Sequence, residues 1–180
     1  MKKLLLIATI IATTANAGNI DTNKKGIGLS LGFMGAGISY FDKSRDSEIF
    51  GSFMYYEDNV YGVDYERDTT ESELHISLHY RKFFKPQIGG YYYGGFARYT
   101  KLDGKLKKEN SRATQGKVGI GAEVGYTSFG LLNFPSLYWN SGLGVGTYLS
   151  GDSNIYARDD MMGDMSMVFH IDLIRIGYLF

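Results

Sequence analysis

The chain closes on a stretch, residues 168–180 (VFHIDLIRIGYLF), in which every second residue counted back from Phe180 is apolar: Tyr178, Ile176 and Ile174. Leu179, Gly177 and Arg175 lie between them. A period of two belongs to an extended strand whose faces meet different surroundings; a helix would repeat every ~3.6 residues. Further up, the apolar set moves to Met167, Phe169, Ile171 and Leu173, with His170 and Asp172 opposite. The adjacent apolar pair Leu173 and Ile174 therefore predicts a β-bulge that keeps Asp172 off the apolar face.

The same alternation recurs upstream. Residues 26–41 start with Ile27, Leu29, Leu31 and Phe33 on one face, then change parity at Gly35-Ala36-Gly37 so that Ile38 and Tyr40 take over. A bulge or glycine kink in one strand accounts for this, and a separate hairpin is the alternative. Further strands are predicted at 48–56 and 60–66, joined by a tight turn at Glu57-Asp58-Asn59. The fourth strand is the cleanest: Leu74, Ile76, Leu78 and Tyr80 alternate with Glu73, His75, Ser77, His79 and Arg81. Three more run over 91–101, 116–129 and 137–149, and the closing stretch completes eight.

Residues 1–17 have Lys2 and Lys3, an apolar run and the small-residue ending Ala15-Asn16-Ala17, the layout of a secretory signal peptide cleaved after Ala17. The apolar run is too short for a membrane anchor, which needs ~20 residues. Losing Lys2 and Lys3 leaves 17 basic against 19 acidic residues, a formal charge of −2 that gives no reason to propose nucleic acid as a partner. The chain has no Cys, so an exported form has neither disulfides nor thiol metal sites.

No stretch beyond residue 17 is apolar enough to form a membrane helix, while apolar and polar residues dilute each other strand by strand. With the C-terminus on the periplasmic side, the long connections 102–115 and 150–164 fall outside, and the turns 57–59, 83–90 and 131–136 inside. Long loops at one end and short turns at the other are the asymmetry of a membrane barrel. Aromatic residues gather at strand ends: Phe83, Phe84, Tyr91, Phe134, Trp139, Tyr178 and Phe180 on the inner side, Tyr40, Tyr65, Tyr99 and Tyr148 on the outer. The expected fold is all-β, an eight-stranded antiparallel up-and-down transmembrane β-barrel over residues 26–180, preceded by a short periplasmic lead at 18–25.

On this layout and its closing aromatic strand the chain resembles the small eight-stranded bacterial outer-membrane barrels, the outer membrane protein X and OmpA-transmembrane-domain group. The resemblance implies an outer-membrane location and contact with lipid and lipopolysaccharide. It also implies an assembly signal at Ile174, Ile176, Tyr178 and Phe180, read by the barrel-assembly machinery.

An eight-stranded barrel is just wide enough for side chains to fill it. The inward parity offers Glu73, His75, Ser77, His79, Arg81, Arg98, Lys117, Glu123, His170, Asp172 and Arg175. Charges held from lipid must pair with each other or with water, so these are expected to form a structural lumen network. Arg98 and Glu123 are an expected pair: a hairpin closed by the loop 102–115 joins residues whose numbers sum to about 217, near enough for diagonal contact.

His75-Ile76-Ser77 places imidazole and hydroxyl on one face, an arrangement similar to the His-x-Ser of lipid A deacylase barrels. Here Leu78 follows, the pair shares the inward parity, and no acid comes before Asp103. His75, His79 and His170 form no metal-binding spacing, and no cofactor is expected. Lys101, Lys105, Lys107, Lys108 and Arg112 would lie near lipopolysaccharide phosphates, while the loop's ligand is not legible. The expected role is structural or surface interaction without catalysis. The alternatives are a lipid A-modifying enzyme and a soluble secreted barrel that binds a small apolar ligand.

Overall fold

Strands with one apolar and one polar face must hide one face from the wrong solvent, and a closed sheet also removes the unpaired edges. The computed structural model describes residues 26–33, 35–42, 46–60, 69–85, 89–106, 111–150 and 167–180. It forms a closed antiparallel barrel in which each strand pairs with the next and β8 returns to β1. The strands are β1 (Gly26–Gly32), β2 (Gly35–Phe41), β3 (Ser47–Val60), β4 (Thr69–Phe83), β5 (Gly89–Leu106), β6 (Ser111–Phe129), β7 (Leu137–Ser150) and β8 (Met167–Leu179). The end carrying Phe180 is called the lower end here.

Eight strands are present, but two are not the expected ones. Residues 26–41 are a hairpin, with Gly32 opposite Gly35, and not one kinked strand. Gly35 has φ 94°, a backbone conformation open to glycine, and so the chain reverses within two residues. Conversely, Glu57, Asp58 and Asn59 lie within β3, opposite Ser72, Glu71 and Thr70, and do not form a turn. β3 continues to Val60, and β4 is its direct partner, so no further strand separates them; residues 61–66 of the expected third strand lie outside the described residues. The connection 42–46 therefore belongs to the lower end.

The bulge in β8 lies where the paired apolar residues predicted it. Asn140 faces Arg175 and Gly142 faces Asp172, leaving Leu173 and Ile174 opposite Ser141 alone. The register of β5 on β6 also follows the expected sum, with Gly89 opposite Ser128 and Arg98 opposite Gly119.

The side chains are sorted inside out relative to a water-soluble protein. On β4, Ile76, Leu78 and Tyr80 are about half exposed or more (48, 59 and 55%), whereas Ser77, His79 and Arg81 are buried at 4, 1 and 0%. The same holds on β8, where Phe169, Ile171 and Leu173 face out and His170 and Asp172 face in. Phe84, Tyr91, Phe134, Tyr178 and Phe180 ring the outside of the lower end. Three aromatic assignments change. Phe83 is buried in the lumen, Tyr40 lies at the lower end of β2, and Tyr148 reaches inward to Thr100. Tyr65 is outside the described residues.

Inside, large aromatic rings lie over glycines on neighbouring strands. A Cβ on Gly121 would come 2.5 Å from Phe96, and one on Gly28 would come 2.9 Å from the Tyr138 hydroxyl. Tyr138 likewise covers Gly177, Tyr92 covers Gly125 and Gly142, and Phe50 covers Gly37. The glycines thus make room for flat rings that close a narrow lumen.

Candidate functional site

The lumen is organised by cross-strand rows. One row runs Glu48, Arg81, Gly94, Glu123, Gly144, His170 across β3 to β8. Gly94 has no side chain, so the Arg81 guanidinium crosses it to Glu123: Nε to Oε1 at 2.8 Å and Nη2 to Oε2 at 3.1 Å. On its other side Arg81 Nη1 donates to Glu48 Oε2 at 3.2 Å. Arg175 Nη2 donates to Glu48 Oε1 at 3.2 Å, and its Nε lies 3.6 Å from Asp172. The Ser39 hydroxyl donates to Glu48 at 2.5 Å and itself receives the Tyr138 hydroxyl at 3.2 Å. Arg175 and Arg81 also stack on Phe50, with the guanidinium carbon 3.5 and 4.7 Å from the ring centre.

Arg98 does not form the expected pair with Glu123. It lies opposite Gly119, four residues along β6, and the nearer Arg81 occupies the carboxylate. Arg98 instead donates to Ser77 Oγ at 3.0 Å, to the Phe169 carbonyl at 2.7 Å and to His170 Nδ1 at 2.7 Å. Guanidinium only donates, so His170 Nδ1 accepts and the proton of a neutral ring sits on Nε2, 3.7 Å from Glu123. Glu123 Oε1 in turn receives His79 Nδ1 at 3.0 Å. His79, Arg81, Glu123, His170, Asp172 and Arg175 therefore form one cluster with Arg98 at its upper edge.

Glu73 and His75 belong to a separate group nearer the upper mouth. His75 Nε2 lies 2.9 Å from Glu73 and its Nδ1 lies 3.0 Å from Thr100 Oγ1, while the Tyr56 hydroxyl donates to the other Glu73 oxygen. Both His75 nitrogens are thus engaged elsewhere, and the Ser77 hydroxyl accepts from Arg98. The two residues share a face without meeting as base and nucleophile.

No protein-family model matches the chain, and no curated protein matches it. Among solved structures it is similar to Ail, the attachment invasion locus protein of Yersinia pestis, at 10% identity over 87% of this chain and 93% of that one, TM-score 0.47. Neisserial surface protein A is 12% identical over 86% of this chain and 88% of its own, TM-score 0.39. The N-terminal β-barrel domain of Pseudomonas aeruginosa OprF is 16% identical over 87% and 95%, TM-score 0.40. At such identities and scores none of the three says what this chain does.

His79, Glu123 and His170 bring possible metal-ligand atoms within 4.8 Å of one another. Arg81 already binds both oxygens of Glu123, however, and Arg98 holds His170. A divalent cation would have to displace two fixed positive charges from its own ligands. Within the cluster Arg81, Arg98 and Arg175 are set against Glu48, Glu123 and Asp172, all buried.

Below this cluster Phe41, Phe83, Tyr92, Phe129, Tyr138 and Leu179 pack together inside the barrel. Phe41 meets Phe129 and Tyr138 edge-on at 5.2 and 5.4 Å. Glu48, Ser39, Tyr92 and Tyr138 are lumen residues that sequence reasoning did not single out. The parity of β3 offered a signal for Glu48, since Glu48 alternates with the outward Ile49. Inward aromatic residues such as Phe41 and Phe50 hid it, because they make the polar face look apolar.

Proposed function

We propose that the chain is an integral outer-membrane protein of structural or surface-interaction type, with a lumen filled by side chains and no catalysis. The observation that carries this reading is the inverted sorting on β4, with Leu78 exposed and Arg81 wholly buried. A soluble protein does not hold a belt of this kind in water, since large apolar patches on soluble monomers mark interfaces. Hydrocarbon accepts it, and a closed barrel leaves few backbone groups unpaired there. The alternative of a soluble barrel holding an apolar ligand needs an apolar interior, and this interior is charged and packed.

The lipid A-modifying alternative loses its geometric basis because Ser77 is held by Arg98 and His75 by Glu73 and Thr100. In this reading lipid and lipopolysaccharide surround the barrel, and the exported chain loses residues 1–17. Ile174, Ile176, Tyr178 and Phe180 then serve the assembly machinery. Phe180 is exposed at the lower rim and its N–H is fixed to the Ile27 carbonyl at 2.9 Å.

Fractionation tests the proposal. The protein should be recovered with outer membranes and should migrate differently on gels before and after heating. Recovery in the soluble periplasmic fraction contradicts it. Deleting Phe180 should reduce assembly while leaving export intact.

A further inference from the structure

The barrel wall is not equally tall all round. β1 and β2 have seven residues each, whereas β3 has 14 and β8 has 13. β8 pairs with β1 only from Arg175 to Leu179, with one added bond from Phe33 N–H to the Ile174 carbonyl at 3.4 Å. On the other side, β3 pairs with β2 only from Glu48 to Phe53. Among the described residues, 167–173 of β8 and 54–60 of β3 therefore have no strand on the side facing the hairpin. A tilted strand gains ~2.5 Å of height per residue, so the hairpin climbs ~17 Å against an apolar band of ~25 Å. Its tip, carrying the exposed Phe33, stops short of the band's upper edge, and outward apolar residues, Ile171, Phe169 and Met167, continue above the tip on β8.

An open sheet edge facing hydrocarbon would leave backbone N–H and C=O groups without partners, which lipid tails cannot supply. The lumen answers part of this demand. The Arg98 guanidinium reaches the Phe169 carbonyl, a group on the open part of β8. Arg98 is also the only one of the three lumen arginines with no carboxylate within 4 Å among the described residues.

We propose that this side of the barrel is a polar notch, at which water and lipid headgroups of the upper leaflet descend to the open edges of β8 and β3, with Arg98 behind them. The occupant is a lipid surface because it offers donors, acceptors and anionic groups at a place where tails offer none. The notch thins the leaflet beside the hairpin and leaves the taller β4–β6 wall in ordinary hydrocarbon. The proposal rests on the membrane reading above.

The absence of native Cys makes single-cysteine labelling direct. Phe33→Cys and Ile171→Cys are placed at the notch, and Ile120→Cys, outward on β6, serves as the control. Each full-length variant, folded in phospholipid vesicles and checked by gel mobility, is treated with a charged, water-soluble maleimide. The notch cysteines should react at least ten-fold faster than the control. If both react as slowly as Ile120→Cys, the notch is sealed by hydrocarbon, a second copy or another segment of the chain, and the proposal is overturned. If all three react fast, the belt is not in lipid at all, and the notch falls together with the membrane reading.

Discussion

Arg81 and Glu123 are joined across an intervening strand, through two hydrogen bonds at 2.8 and 3.1 Å that pass over Gly94. Both side chains are fully or almost fully buried. The contact ties β4 to β6 inside the lumen, and Glu48 extends it to β3.

Removing one partner of this pair strands a buried charge. Arg81→Met or Glu123→Gln should lower unfolding stability by about 3–5 kcal/mol, measured by urea titration in lipid vesicles. Trp139, the single tryptophan, supplies the signal. The double variant Arg81→Met/Glu123→Leu should recover part of the loss, because well-packed apolar groups can replace a buried ion pair.

The glycines under aromatic rings make a graded prediction. Gly177→Ala puts a methyl group into the space of the Tyr138 ring, and overpacking of this kind costs about 1–3 kcal/mol. Gly51→Ala meets only the Ser77 carbonyl oxygen, at 4.0 Å, and should leave stability within about 0.5 kcal/mol of the parent. Equal losses in the two variants would contradict the ring-over-glycine packing.

Much of this arrangement can be read from the sequence, and its failures have local causes. The alternation of β4 and β8 is legible where exposed apolar residues alternate with buried polar ones, from Ile76 to Arg81 on β4 and from Phe169 to Leu173 on β8. The hairpin at 33–35 is not, since a two-residue reversal among glycines looks the same as a kink. Glu57-Asp58-Asn59 reads as a turn because three polar residues in succession show no alternation, although all three pair with β4. The extra hairpin at 26–41 and the missing turn at 57–59 cancel, so the strand count stays at eight. The expected hairpin sum predicts the register of β5 on β6 but not the partner of Glu123. An alternation pattern records which way Arg81 points, but not that a bare Gly94 lets it reach two strands away.

A barrel filled by side chains, as proposed, should not conduct. The aromatic floor of Phe41, Phe83, Phe129 and Tyr138 lies beneath the Arg81 cluster with both groups buried. Planar-bilayer recording of the wild-type protein should therefore show no discrete ion-conducting steps. Reproducible open-channel steps would refute the closed lumen.

The His75–Ser77 arrangement should be catalytically silent. Cells carrying Ser77→Ala should show the same lipid A acylation pattern as wild type by mass spectrometry of extracted lipid. A changed pattern would restore the enzyme reading.

The central claim is that the Ile76/Leu78/Tyr80 face of β4 meets acyl chains. With Trp139 replaced by Phe, Leu78→Trp becomes the sole indole, and its fluorescence is recorded in vesicles of phospholipids brominated at defined depths along the acyl chain. Strong quenching, greatest for bromines deep in the bilayer, is the expected result. Fluorescence indifferent to bromine at every depth would show that Leu78 does not face lipid, and would contradict the account.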